Sequence, residues 1–299
     1  MTVEAGKPFE TMKKTTRLKE LINAPEILVM YPAHDALSAR IAERAGAKAV
    51  TVGGFAASGV LLGQPDSSQL TATELAKFYE GICASVDIPV FVDADTGFGG
   101  VTNVIRTVKD FERAGVAGLF IEDQRFPKRC GHTAGKDIIP SEEMVPKLRA
   151  ALDSRTDEDF VIMGRTDALA VLGIDDAIAR AKLFLETGCD VVFVEAPETT
   201  EQMRRICEEV HGPVLANMVE FGRSPLLDSG QLQELGFAVA VWPVASVFVV
   251  SRALEVLYRT LQETGSTTSL YDQMVDFEEY MEIVGLSELR DREARYERG

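Results

Sequence analysis

The stretch GLFIEDQRFPKRCGHTAGK, residues 118–136, decides how the chain folds on the page. It opens as an apolar run, Gly118-Leu119-Phe120-Ile121, with the composition of a strand buried on both faces. The run stops at two carboxylates, Glu122 and Asp123, and a loop follows with Lys128, Arg129, Cys130, Gly131 and His132 in a row. A buried strand needs no charge at one end alone; a functional site at that end does. Lys128, Arg129 and His132 flank a thiol, and neighbouring cations stabilise a thiolate, so Cys130 can release its proton near neutral pH. Gly131 beside it leaves the backbone free to move. A solvated basic turn with an incidental cysteine has the same composition, so the rest of the chain has to separate the two readings.

Similar apolar runs recur on both sides of this one. They fall at Ile27–Tyr31, Ala49–Val52, Val90–Val92, Phe160–Met163, Val191–Val194, Val214–Ala216 and Phe237–Val241. Each is short and most are rich in Val, Ile or Phe, as buried parallel strands are. Helical patterns separate them. Asp35–Ala45 has apolar residues at helical spacing, and Thr71-Ala-Thr-Glu74 is a capping box opening a helix toward Cys83. Val101–Ala114 follows the third strand, and Ser141 is placed to cap a helix through Leu152. Ile174–Thr187, Thr200–Val210 and Leu226–Leu235 complete the alternation. Strand, loop and helix repeated about eight times predict a single (β/α)8 TIM-type barrel. A doubly wound open sheet is the weaker alternative, because no GxGxxG follows any strand. The expected organisation is a polar lead-in over 1–17, a barrel domain over 18–265 and a helical extension over 266–299. That extension mixes Tyr271, Met274, Phe277, Tyr280, Met281 and Leu286 with many charges, a pattern that needs another surface to cover.

Composition narrows the functional classes. In 299 residues, 46% are hydrophobic and 26% charged, as expected of a globular protein with a sizeable core. The formal net charge of −16 argues against nucleic acid or an anionic membrane as partner. Cys83, Cys130, Cys189 and Cys207 form no CxxC pair and no zinc spacing, which suits reduced thiols and a cytoplasmic location. Met1 to Arg17 lacks the apolar core of a signal peptide, and no apolar run is long enough to span a bilayer.

Polar residues at the C-terminal strand ends build the active site of such a barrel. Here those ends carry Gly53-Gly54, Asp93-Ala94-Asp95, Glu122-Asp123, Arg165-Thr166-Asp167, Glu195, and Asn217 with Glu220 behind it. Asp93 and Asp95 alternate with Ala94 and so share a face. With Glu122 and with Asp66 of the Gln64-Pro65-Asp66 loop they make four hard oxygen donors without His or Cys, a set that favours Mg²⁺ or Mn²⁺ over zinc. A proton-sharing carboxylate cluster without metal is the alternative. Thr96-Gly97-Phe98-Gly99-Gly100 is a glycine-rich loop able to cradle an anion, and Gly53-Gly54-Phe55 offers backbone N–H groups to a carboxylate.

Asp93-Ala-Asp95, Glu122-Asp-Gln124, Lys128-Arg-Cys-Gly-His132, Arg165-Thr-Asp-Ala168, Glu195-Ala and Leu215-Ala-Asn217 occur in this order in the isocitrate lyase/phosphoenolpyruvate mutase superfamily. The chain resembles that superfamily from about Leu18 into the C-terminal tail, and within it the carbon–carbon lyases. The resemblance implies a (β/α)8 barrel, magnesium, a mobile Cys130 loop and a homotetramer with C-terminal helices exchanged between subunits. It implies Asp95 as principal metal ligand, with Asp66, Asp93 and Glu122 on the metal or its waters. It places Gly53, Gly54, Phe55, Arg129, Gly131, Glu195 and Asn217 around a di- or tricarboxylate substrate, and makes Arg165, together with Lys128, Cys130 and His132 of the loop, catalytic. The lyases carry Tyr-Leu-Ser-Gly-Gly where this chain has Thr51-Val-Gly-Gly-Phe55, so a tyrosine and a serine hydroxyl are missing. Ser67-Ser68 after Asp66, and Trp242-Pro243 for Tyr-Pro, are further departures. The expected reaction is retro-aldol cleavage of a 2-hydroxy acid, a methyl-substituted malate or a methylisocitrate-like compound, with Cys130 as proton donor. Phosphonate mutation or oxaloacetate hydrolysis in the same pocket is the alternative.

Overall fold

The computed structural model describes residues 12–131 and 135–297. Eight parallel strands close into a barrel in sequence order, β1 Leu28–Pro32, β2 Val50–Val52, β3 Val90–Asp93, β4 Gly118–Glu122, β5 Val161–Thr166, β6 Val191–Val194, β7 Val214–Asn217 and β8 Val239–Val241. Met30 of β1 pairs with Val241 of β8 to shut the ring. All eight runs read from the sequence are strands, each within a few residues of the expected bounds.

The side-chain period of two explains both the core and the site. Val90, Val92, Leu119, Ile121, Ile162, Val192, Val194 and Ala216 point outward into the layer shared with the helices. Phe91, Phe120, Val161, Met163, Val191, Phe193, Leu215, Val239 and Val241 point inward and fill the barrel. The inward positions continue past these apolar residues to Asp93, Glu122, Arg165, Glu195 and Asn217. One parity rule therefore gathers five polar side chains at one end of the lumen. Register tightens the group, since Glu122 lies opposite Arg165 across β4 and β5.

The opposite end is closed by α1, Lys14–Ile22, whose Leu18 and Ile22 join the inner cluster. The predicted polar lead-in thus gives way to helix by Lys14, before residue 17. The outer helices are α2 Ala36–Arg44, α3 Gly54–Leu62, α4 Ala72–Cys83, α5 Val101–Arg113, α6 Ser141–Ser154, α7 Leu169–Leu172, α8 Ile174–Thr187, α9 Thr200–Glu209 and α10 Ser229–Leu235. The Thr71 capping box forms, with the Glu74 N–H donating to Thr71 Oγ1 and the Thr71 N–H to Glu74 Oε2. Ser141 does not cap α6: Pro140 occupies the cap position, and Ser141 is already the first helical residue.

α11, Ala245–Thr264, is long and has no buried residue. A short 3₁₀ turn, Thr268–Gln273, leads to α12 Phe277–Ile283 and α13 Leu286–Glu297. α12 folds back on α2, where Arg40 Nε donates to the Ile283 carbonyl at 2.8 Å. No described helix is long and apolar enough to cross a membrane.

Candidate active site

The C-terminal mouth of the barrel holds a cavity of about 220 Å³. Its polar wall is Asp66, Asp93, Lys128, Cys130, Gly131, Arg165, Glu195 and Asn217, and Gly53, Gly54 and Phe55 line it as well. Eleven expected site residues therefore meet in one place. Asp95 and Glu122 lie just behind this wall, within the same charge network. His132 falls outside the described residues.

Asp93, Asp95, Asp66 and Glu122 form the expected carboxylate cluster, but its centre differs from expectation. The Lys128 ammonium is buried there, 2.7 Å from Asp66 Oδ2 and 2.8 Å from Asp95 Oδ1. Lys128 was expected to acidify Cys130; its charge is paired with Asp66 and Asp95, and against the opposing effect of burial Asp95, Asp93, Glu122 and Asp66 together raise its pKa well above the ordinary lysine value. The cause is chemical: buried aspartates without a counter-charge draw in the nearest flexible cation. Burial, assisted by the charges of Asp93 and Asp66, lifts Asp95 to about 7 against the pull of Lys128. Asp95 also sits at φ 48°, an uncommon conformation for a side-chain-bearing residue and one found at functional sites.

Asp93 is tied to the backbone. Its Oδ2 accepts from the Gly54 N–H at 2.9 Å and its Oδ1 from the Asp95 N–H at 2.7 Å. The Gly54 amide thus serves a carboxylate of the protein itself, where the sequence reading offered it to substrate. A Cβ at position 54 would lie 2.9 Å from Asp93 Oδ2, so only glycine fits. The Thr96–Gly100 loop does not line the cavity either; Gly97 is packed under Val104.

Glu122 is fully buried, and neither of its oxygens accepts a hydrogen bond, although Arg165 Nη1 approaches Oε2 at 3.3 Å. Burial pushes its pKa well above the ordinary glutamate value. An oxygen-only donor set, an orphaned buried carboxylate and four acids facing one ammonium fit a hard divalent cation. Among the described residues, no three of these side chains already form a direct ligand cage.

Arg165 is the second buried cation. Asp167 Oδ2 accepts from its Nε at 3.0 Å, and Glu195 Oε2 lies 3.0 Å from its Nη2. Its guanidinium sits over the rings of Phe193 and Phe120, 5.0 and 5.7 Å from their centroids. Asn217 Nδ2 reaches both Glu195 oxygens at 3.4 Å.

The Cys130 loop is fixed over these groups. Gln124 holds Arg129 at both backbone groups, accepting from its N–H and donating to its carbonyl. Ser68 does the same for Lys128. A Cβ on Gly131 would collide with Arg165 and Glu195, so the loop backbone touches them closely. The Arg129 guanidinium is not brought into the cavity: it lies beside Gly135 on an outer groove. Sequence reasoning missed Lys136. Its buried ammonium joins the Gly131 carbonyl at 2.5 Å to Asp167 Oδ1 at 2.8 Å, connecting the loop to the residue that orients Arg165. The Gly135-Lys136 pair after the cysteine motif was the available signal.

With this geometry in place, likeness to known proteins becomes informative. Residues 18–262 match the phosphoenolpyruvate phosphomutase family. The chain belongs to this family. A 2,3-dimethylmalate lyase of Eubacterium barkeri is 42% identical over 288 residues, covering 96% of this chain and all of that protein. The chloroplastic carboxyvinyl-carboxyphosphonate phosphorylmutase of Arabidopsis thaliana is also 42% identical, over 96% of this chain and 86% of its own length. A crystal structure of a 2,3-dimethylmalate lyase superposes with a TM-score of 0.90 at 32% identity, covering 96% of each chain. Family membership and the barrel thus agree with the expectation drawn from the motifs; exchange of helices between subunits stays a matter of proposal.

Proposed function

We propose that this family member is a carbon–carbon lyase that cleaves a 2-hydroxydicarboxylate, of the substituted-malate type, to an α-keto acid and a carboxylic acid. The supporting observation is the position of Cys130. It lines the cavity, and the neighbouring Gly131 lies against Arg165 and Glu195, which supports a role for the thiol as proton donor to a carbanion formed in that cavity. The two relatives at 42% identity carry different names, one a lyase and one a phosphorylmutase, so identity alone does not choose between them. A thiol acid serves the first reaction and has no task in an intramolecular phosphoryl shift.

The substrate hydroxyl loses its proton to solvent, its oxygen becomes the keto group, and the C2–C3 bond breaks. The electron pair of that bond passes to C3 and spreads into the adjoining carboxylate as an enediolate. Arg165 offsets the new negative charge from a site with little water around it. The Cys130 S–H gives C3 its proton, and the thiolate recovers one from solvent. Asp95, with Asp66, Asp93 and Glu122, would hold Mg²⁺ or Mn²⁺, which when bound supplies Lewis-acid polarisation of the substrate's hydroxyl and carboxylate. The exposed apolar side of α11 and the C-terminal helices fit an assembly of copies of this chain, of which the homotetramer is our reading.

The test is a keto-acid release assay on malate, methylmalates, methylisocitrate, isocitrate and oxaloacetate, with Mg²⁺, in D₂O. Keto acid and one deuterium on a single face of the other product are expected. Release of keto acid without solvent deuterium would remove Cys130 from its role.

A further inference from the structure

The cavity has two unlike halves, and the mechanism uses only one. Its polar half runs from Asp66 to Asn217. The other half is lined by Phe55, Val219, Phe221, Val244 and Phe248. Three of these are aromatic rings from three separate elements that meet at the rim. Phe55 comes from the first turn of α3, Phe248 from the first turn of α11, and Phe221 from the loop after β7. Phe55 and Phe248 meet edge-on with centroids 6.0 Å apart, and Phe221 lies 6.4 Å from Phe248. Phe221 is 96% exposed and held at φ 61°. A bulky residue in the left-handed region, presenting its ring to water, is found where function uses it.

Charge leads the same way. Lys128 and Arg165 are the cations among the described lining residues, and carboxylates already surround both. Among the described lining residues the aromatic half offers no cation to a further carboxylate, while Glu220 on the wall would repel one. Whatever part of the substrate lies there is uncharged and apolar.

We propose that Phe55, Phe221 and Phe248 form a subsite for an alkyl substituent larger than methyl, so that the preferred substrates are malates bearing an apolar chain on C2 or C3. This rests on the lyase reading and adds the substrate class to it. The occupant is the substrate's own substituent, because the rings are continuous with the cavity that holds the reacting groups. A tricarboxylate is disfavoured for the same reason: its third carboxylate would lie against the rings and Glu220.

The test is kcat/KM for keto-acid release along two series, 2-alkyl- and 3-alkylmalates from methyl to butyl. Binding of the matching alkylsuccinates, which lack the hydroxyl and cannot react, is measured by calorimetry alongside. A rise of about fourfold per added methylene is expected in at least one series, and the same trend in succinate affinity. Phe221→Ala and Phe248→Ala are expected to flatten the slope, and Phe221→Leu to restore part of it. Cleavage of the methyl compounds with a flat or falling slope in wild type overturns the subsite and leaves the lyase reading standing. No keto acid from any malate overturns the lyase reading, whereas alkylsuccinates that tighten with chain length would still support the apolar subsite. A Phe221→Ala protein that keeps the slope but changes its mass in light scattering shows the rings to be a contact between copies, and overturns the proposal.

Discussion

Lys136 joins two parts of the site that the chain keeps far apart in sequence. Its ammonium fixes the carbonyl next to Cys130, and through Asp167 it bears on the Nε and Nη2 atoms of Arg165. Replacing it with methionine leaves a buried Asp167 with one cation fewer and frees the loop at Gly131. Misplacing reacting groups by about an ångström costs on the order of 10²-fold, so Lys136→Met is expected to lower kcat by about that factor with little change in KM. Lys136→Arg should recover part of the loss, which a purely structural role would not predict. Asp95→Ala belongs at the same scale: turnover should vanish with the fold intact by circular dichroism. Chelation should do likewise, with Mg²⁺ or Mn²⁺ restoring activity to the wild type only. The four thiols provide a direct check on Cys130. Burial pushes Cys83, Cys189 and Cys207 up to about 12, so at pH 8 they are almost wholly protonated and poor nucleophiles. Iodoacetamide is expected to label Cys130 first, and a bound alkylsuccinate to slow it; tryptic mass spectrometry reads both, and earlier labelling of Cys207 would overturn the assignment. The motif residues were legible in the sequence because each type has a chemistry of its own. Their pairings were not. Nothing in the order Lys128-Arg129-Cys130 shows that the lysine turns inward to Asp66 and Asp95 while the arginine stays outside, because that choice is made by burial among groups distant in sequence.

At the scale of elements, strands read well and the short helices after them did not. Fully buried parallel strands announce themselves as runs of Val, Ile and Phe, and all eight were visible. α3 is absent from the sequence reading, which marks only Gly53-Gly54-Phe55, as backbone donors. Its sequence GFAASGVLL has two glycines and no polar face, so neither propensity nor amphipathic spacing marks it. It is helical because the barrel orders it: Gly54 donates to Asp93, and Ala56 and Ala57 are buried. Alanine is the better helix former, yet position 54 has no room for its methyl group beside Asp93. Gly54→Ala is therefore expected to retain the helix content and lose activity, through displacement of Asp93 and the Asp95 backbone it holds. Far-ultraviolet circular dichroism with kcat/KM on a cleaved malate separates the two effects, and full activity would show that Asp93 has freedom to move.

At the scale of the molecule, the largest unexplained feature is the apolar surface of the C-terminal third. α11 spans 20 residues without burying one, and Val249, Tyr258, Tyr271, Phe277 and Tyr296 are 60% or more exposed. A 20-residue helix with no buried side chain and several exposed large apolar ones is a pattern that marks contact surfaces. The net charge of −16 keeps such a chain from indiscriminate association, so a contact that forms must be specific enough to offset like-charge repulsion. The surface begins at Phe248, which also borders the cavity, so assembly and site share the start of one helix. We propose a closed homo-oligomer as the way to cover it, with the tetramer as the proposed size. Val249→Glu with Tyr258→Glu puts two carboxylates onto the exposed apolar side of this helix in each copy. The double variant is expected to run as a smaller species in sedimentation velocity, with a lower midpoint of thermal unfolding. Unchanged sedimentation would show that this face of α11 is open to solvent in the assembled protein. A wild type that sediments as a monomer would remove the tetramer altogether.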